Sequence, residues 1–198
     1  DRRWLKGISL PQAVEEAVKS GVTMVQLREK NMDFEEFTAL AREVKKVTDK
    51  YKVPFVINDN VAVALACDAD GVHVGQSDMC AFDVRAKIGP EKILGVSART
   101  TDQAMLAAKM GADYVGIGAV FSTGTKNDAE QLSLAEVKKI CAAVPLPAVA
   151  IGGITKSNIT MLKGSGADGA AVVSAIFAAD NIASAAAELR VLADEITR

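Results

Sequence analysis

The sequence predicts an α/β fold, a (β/α)8 barrel of the TIM type, built as a single domain over residues 1–198. Three observations carry that expectation. Short apolar runs alternate with helix-like segments from one end of the chain to the other. The runs are apolar at consecutive positions rather than at every second one, as strands covered on both faces are. A glycine-led unit also recurs, as "GADYVGIGAVF" at 111–121 and "GADGAAVVSAIF" at 166–177, with "DADGVHVGQ" at 68–76 as a looser copy. Such self-similarity suits a repeated strand–helix block.

Taken in order, the chain opens with a helix over 10–20, capped by Ser9 and ended by Gly21. A strand over 23–29 leads to the longest early helix, 33–51, with Asp33 as its cap. Strands over 54–59 and 71–76 flank a short helix over 60–67. A helix over 79–88 stops at Gly89 before the strand over 93–98. The next helix, 100–110, is capped at Thr101 and stops at Gly111, before the strand over 113–120. A helix over 133–144 begins after Ser133 and precedes the strand over 147–153. A helix over 157–165, capped by Ser157 and stopped by Gly166, leads to the strand over 169–175 and a last helix over 181–196. This gives seven strands and eight helices, whereas a closed barrel needs eight strands. The expected repair is a first strand lying before Asp1. An open doubly wound sheet is the competing architecture, but no Gly-x-Gly-x-x-Gly opens a helix to support its dinucleotide-binding version.

Composition narrows the function. Twenty-three basic residues against 25 acidic ones are interspersed, so there is no basic stripe for nucleic acid or an anionic membrane. No apolar run approaches a membrane span, and "DRRWLKGISL" has no hydrophobic signal core. The three cysteines, Cys67, Cys80 and Cys141, are widely spaced and read as reduced thiols of a cytoplasmic protein. The single histidine, His73, sits in a strand between Val72 and Val74 and reads as a hydrogen-bonded barrel residue rather than a catalyst.

In barrels of this kind chemistry gathers where the strands end. Gln26, Arg28 and Lys30 alternate, so an extended chain turns them to one side. An amide, a guanidinium and an ammonium there suit a polyanion, or a solvated strand end. Asn58 and Asp59 end the next strand, and Gln76, Ser77 and Asp78 the one after. Adjacent parallel strands lie about 4.8 Å apart, so one cation can bridge Asp59 and Asp78. Oxygen ligands alone point to Mg²⁺; the competing roles are an N-cap for Asp59 and a loop aspartate for Asp78. Ser97 and Arg99 follow the fourth strand. Thr123, Gly124, Thr125 and Lys126 follow the fifth, where two hydroxyls, free amides and an ammonium suit a phosphate or simply close a strand. Gly152-Gly153 and the stretch to Ser174 either offer backbone amides to a phosphate or form tight turns.

The motifs "VQLREK", "INDN", "DGVHVGQSD", "GVSART", "ADYVGIGAVFSTGTKND", "AIGGIT" and "ADGAAVVSAI" run in order across almost the whole chain. As a set they resemble the thiamine phosphate synthase family. The resemblance implies a transferase joining an aminopyrimidine diphosphate to a thiazole phosphate. It implies that Gln26, Arg28, Lys30 and Asn58 hold the pyrimidine diphosphate, with Ser97 and Lys126 on its diphosphate side. Asp59 and Asp78 match the Mg²⁺ carboxylates, while Thr123, Thr125, Gly153, Val173 and Ser174 match the thiazole-phosphate cradle. Arg28, Lys30, Ser97 and Lys126 would act on the leaving group, and the partners would be small molecules. Family members also carry a first strand ending in Thr-Asp where the strand count asks for one. Two rivals remain: a thiazole tautomerase on the same fold, and a non-catalytic phosphate-ligand sensor. Neither needs both acidic residues opposite Lys30 and Lys126.

Overall fold

The computed structural model describes Trp4, Leu5, residues 7–122 and residues 131–197. Its strands are β1 (Val25–Leu27), β2 (Phe55–Asn58), β3 (Gly71–Val74), β4 (Ile93–Ala98), β5 (Tyr114–Gly118), β6 (Ala148–Ile151) and β7 (Gly169–Ala171). Its helices are α1 (Leu10–Lys19), α2 (Phe34–Tyr51), α3 (Val61–Ala66), α4 (Ala81–Ile88), α5 (Thr101–Lys109), α6 (Leu134–Ala143), α7 (Ser174–Phe177) and α8 (Ile182–Ile196). All seven strands pair in parallel and in sequence order, β1-β2-β3-β4-β5-β6-β7. Among the described residues β1 pairs only with β2 and β7 only with β6. The outer layer nevertheless closes, because α1 packs against both α2 and α8. The sheet is therefore curled, with helices outside, as a (β/α)8-type barrel requires.

Each helix buries one stripe. In α1 the buried positions are Leu10, Ala13, Val14, Ala17 and Val18, the spacing of one helical face. Ser9 and Gln12 close a capping box at its start. Glu15, on the other side, accepts from Tyr51 at 2.7 Å and Lys50 at 2.8 Å and so ties α1 to α2. The helix-facing strand residues Phe55, Ile57, Val72, Val74, Leu94, Val96, Val115 and Ile117 join those stripes in one core. Burying a side chain of this size contributes roughly 1.5–3 kcal/mol.

Three local expectations change. Thr100, not Thr101, caps α5, with an extended backbone and its hydroxyl accepting from the Gln103 amide. The helix expected over 157–165 is one 3-10 turn, Ile159–Leu162. Ser157 caps nothing there; its hydroxyl pairs with that of Thr155 at 2.9 Å. Left-handed glycines at 164 and 166 stop the turn from growing. The seventh strand ends at Ala171 rather than 175, and α7 begins at Ser174.

The recurring glycine-led unit proves to be a clamp at the amino-terminal face of the sheet. Asp70, Asp113 and Asp168 precede β3, β5 and β7. Each accepts from an amide at the start of the preceding strand: Phe55 at 2.7 Å, Leu94 at 2.7 Å and Ala148 at 2.8 Å. Each returns its own amide to that residue's carbonyl, at 2.8, 2.8 and 2.7 Å. The repeat thus fastens strands in pairs. Arg85 of α4 adds a guanidinium to Asp113 at 2.7 Å and donates to the carbonyls of Gly89, Lys92 and Gly111.

Asp113→Ala strands the buried Leu94 amide and should lower unfolding free energy by about 1–3 kcal/mol. Lys156→Ala removes only an exposed partner of Glu188 and should change it by less than about 1 kcal/mol. Urea denaturation of both variants checks the order.

Candidate active site

The carboxyl-terminal rim collects the acidic and basic groups. Asp59 follows β2 in the left-handed region, φ 63°, with its amide donating to the His73 carbonyl at 2.8 Å. Capping of α3 falls to Asn60, whose side chain accepts from Val63 at 3.0 Å. The Asp59 carboxylate is thereby left to face the mouth. Asp78 closes a tight turn after β3, its carboxylate accepting from the Gly75 amide at 2.7 Å. Asp78 lies close enough to Asp59 and Lys30 for its carboxyl to feel both charges. Burial pushes the Asp78 carboxyl above its ordinary range, and the Asp59 carboxylate beside it pushes the same way. Lys30 answers from the loop after β1, its ammonium 2.5 Å from Asp59 Oδ2. Two carboxylates and an ammonium from three successive strand ends therefore meet at one point. Among the described residues no group of three or more His, Cys, Asp or Glu side chains gathers around a metal position. Any cation held here would depend on ligand or water oxygens for the rest of its shell.

Beneath this cluster the barrel interior is polar and glycine-lined. His73 on β3, Gly95 on β4 and Tyr114 on β5 stand in register. A Cβ on Gly95 would lie 2.2 Å from the Tyr114 ring, and one on Gly116 3.0 Å from His73 Cε1. Two missing side chains make the room that these rings fill. His73 Nδ1 is 2.8 Å from the Tyr114 hydroxyl, and His73 Nε2 is 2.9 Å from Ser97 Oγ. Gln76 donates to the Ser97 carbonyl at 2.6 Å. Burial drives the Tyr114 phenol far above its ordinary pKa, although the Gln26 amide opposes that shift.

On the other side of the mouth, Val120 and Phe121 donate to the carbonyls of Ile151 and Gly152, each at 3.0 Å. Gly153 has φ 63°, and a Cβ there would lie 2.2 Å from the Ser122 carbonyl oxygen. The chain entering 123 thus runs against the glycine pair after β6. Since Ile151 pairs with Ala171, Gly153 and the Val173-Ser174 pair follow neighbouring strands at the same rim. Thr123, Thr125 and Lys126 lie outside the described residues.

A groove of about 620 Å³ opens from the mouth towards α2 and α3. Lys30, Asn58 and Asp59 line its polar end, and Met32, Leu65 and Met79 its apolar end. The expected residues after β1 to β4 thus divide into two levels. Lys30, Asn58, Asp59 and Asp78 stand at the rim, Ser97 joins His73 and Tyr114 in the barrel interior, and Gln26 on β1 is exposed. Arg28 is half-buried just past β1.

This arrangement agrees with what comparison finds. The profile of a family described as thiamine monophosphate synthase matches residues 2–176. The chain belongs to that family. A thiamine-phosphate synthase of Clostridium tetani is 49% identical over 189 residues, 96% of this chain and 90% of that one. One of Alkaliphilus oremlandii is 50% identical over 190 residues, 96% and 91% of the two chains. Among solved structures, the thiamine phosphate pyrophosphorylase from Pyrococcus furiosus superposes with a TM-score of 0.91 at 39% identity, covering 99% of this chain and 93% of its own. A 3-hexulose-6-phosphate synthase, at 20% identity and TM-score 0.68, shares the fold. As a member of the thiamine monophosphate synthase family, the chain is a transferase of thiamine biosynthesis.

Within this family member, sequence reasoning passed over Tyr114, which "DYVGIG" presents as one more buried strand residue. The available signal was its register: a bulky phenol flanked by an interior glycine, Gly95, on the neighbouring strand. Gly95→Ala should destabilise the fold by about 1–3 kcal/mol through overpacking, and more than Gly116→Ala, whose added methyl meets only a ring edge. Equal denaturation midpoints for the two variants would remove Tyr114 from the interior.

Proposed function

We propose that the protein is a thiamine phosphate synthase, joining 4-amino-2-methyl-5-hydroxymethylpyrimidine diphosphate to a thiazole phosphate and releasing diphosphate. The observation that carries this reading is the meeting of Asp59, Asp78 and Lys30 at the mouth. A mutually repelling, partly desolvated carboxylate pair beside a cation is suited to a hard metal ion shared with a diphosphate. The donor set is all oxygen and so fits Mg²⁺, with Asp59 and Asp78 as its protein ligands. When bound, Mg²⁺ would supply Lewis-acid stabilisation to the departing diphosphate.

The chain's own residues would do the rest. The thiazole nitrogen lone pair forms a bond to the pyrimidine methylene carbon, and the carbon–oxygen electrons leave with the diphosphate. The aminopyrimidine ring shares positive charge, so bond breaking can run ahead of attack. Arg28, Lys30 and Lys126 would take up the negative charge of the leaving group, with Ser97 donating to it and Gln26 and Asn58 orienting the pyrimidine. Thr123, Thr125, Gly153, Val173 and Ser174 would hold the thiazole phosphate in line with that carbon. With a carboxylated thiazole, carbon dioxide is lost after the bond forms. No protein nucleophile is required.

The purified protein, given both substrates and Mg²⁺, should yield thiamine phosphate and diphosphate in equal amounts. Asp59→Ala should reduce turnover by orders of magnitude, and Lys126→Ala should lower kcat more than it raises the thiazole-phosphate KM. Isomerisation of the thiazole with no thiamine phosphate formed would replace this reading with a tautomerase. Binding of thiazole phosphate with no turnover by either route would replace it with a sensor.

A further inference from the structure

The turn that carries Asp78 is held at two points, and neither is a strand ladder. β3 ends at Val74, which pairs with Val96 of β4. One residue further along β4, the Ser97 carbonyl accepts from a side chain: the Gln76 amide nitrogen lies 2.6 Å away. A carbonyl only accepts, so the nitrogen of the Gln76 amide, and not its oxygen, faces it. Gln76 is exposed, and water can take the place of such a bond, so the contact adds little to stability. What it does is tie the turn to β4.

The second hold lies inside the turn. The Asp78 amide donates to the Gly75 carbonyl at 3.4 Å, and the Gly75 amide donates back to Asp78 Oδ2 at 2.7 Å. A Cβ on residue 75 would lie 2.8 Å from that same carboxylate oxygen, and the next atom it would meet is the carboxyl carbon, at 4.0 Å. Gly75 is not among the glycines with positive φ. Its missing side chain therefore serves the carboxylate rather than the bend.

We propose that Gly75 and Gln76 are positioning residues: Gly75 seats the Asp78 carboxylate on its turn, and Gln76 pins that turn to β4, so that Asp78 and Ser97 keep a fixed spacing across the mouth. Ser97 is a firm anchor. Its carbonyl takes Gln76, and its hydroxyl lies 2.9 Å from His73 Nε2. Both holds are set by this chain's own atoms; that Asp78 ligates Mg²⁺ and that Ser97 faces the diphosphate rest on the transferase reading above. Groups that orient a metal ligand without touching the metal set its affinity, because an unheld ligand must be ordered when the metal binds.

Calorimetric titration of the whole protein with inorganic diphosphate, repeated over a series of Mg²⁺ concentrations, gives the Mg²⁺ level at which half the gain in affinity is reached. Gly75→Ala, which pushes the carboxylate off its amide, should raise that level roughly ten- to hundred-fold, and so should Gln76→Met, which keeps the length and loses the donor. The urea midpoint and the dissociation constant for thiazole phosphate should stay at their wild-type values in both. Excess Mg²⁺ should restore the kcat of Gln76→Met, a rescue that a loosened fold would not show. An unchanged Mg²⁺ level in either variant overturns the role of that residue. A fall in urea midpoint that tracks the lost affinity overturns both, by making the effect one of folding. Diphosphate binding by the unaltered protein that ignores Mg²⁺ would sink the metal reading and the proposal with it, and that result is visible before any variant is compared.

Discussion

Parallel pairing of every strand in sequence order is the constraint on which the rest of this molecule depends. Parallel strands all point one way, so whatever follows each strand arrives at the same rim. That geometry turns residues far apart in the sequence, Lys30, Asp59 and Asp78, into one cluster. It also costs something: each strand start leaves backbone groups at the opposite face. The recurring Asp70, Asp113 and Asp168 meet that need by pairing with the preceding strand through both side chain and backbone. Stability and chemistry are therefore separated by the length of a strand.

The interior shows a second division of labour. The helix-facing side of the strands is aliphatic and fills the core. The opposite side carries glycine, serine, histidine and tyrosine at its mapped positions on β3 to β5. Small residues there do not weaken packing, because Tyr114 and His73 fill the volume they release. The result is a floor of fixed dipoles beneath a charged rim. Preorganised dipoles in a partly dry site act on developing charge without reorganising first.

Much of this was legible in the sequence. The alternation of apolar runs and helices gave all seven strands, since runs apolar on both faces have few other destinations. The convergence of Asp59, Asp78 and Lys30 followed from strand ends alone, because parallel topology fixes the rim without any knowledge of side-chain contacts. His73 was readable as a barrel residue with partners, but not which partners. Tyr114 was illegible for a physical reason. A glycine such as Gly95 reads as flexibility or close approach in one dimension, and only cross-strand register shows that a phenol fills its place. The segment 157–165 misled because its apolar spacing is helical, while the glycines that cut it short can take left-handed conformations that sequence spacing does not weigh. The shift of the α5 cap from Thr101 to Thr100 is a one-residue choice between adjacent hydroxyls, decided by which backbone stays extended.

In the proposed reaction the acidic pair and the cations of the mouth act together on a metal–diphosphate unit. Calorimetric titration of the whole protein with inorganic diphosphate, in Mg²⁺ and then in a chelator, tests it most directly. Binding should be much tighter with Mg²⁺, and that gain should be lost when Asp59 and Asp78 are both changed to asparagine. Diphosphate binding that is indifferent to Mg²⁺ in the unaltered protein would contradict it.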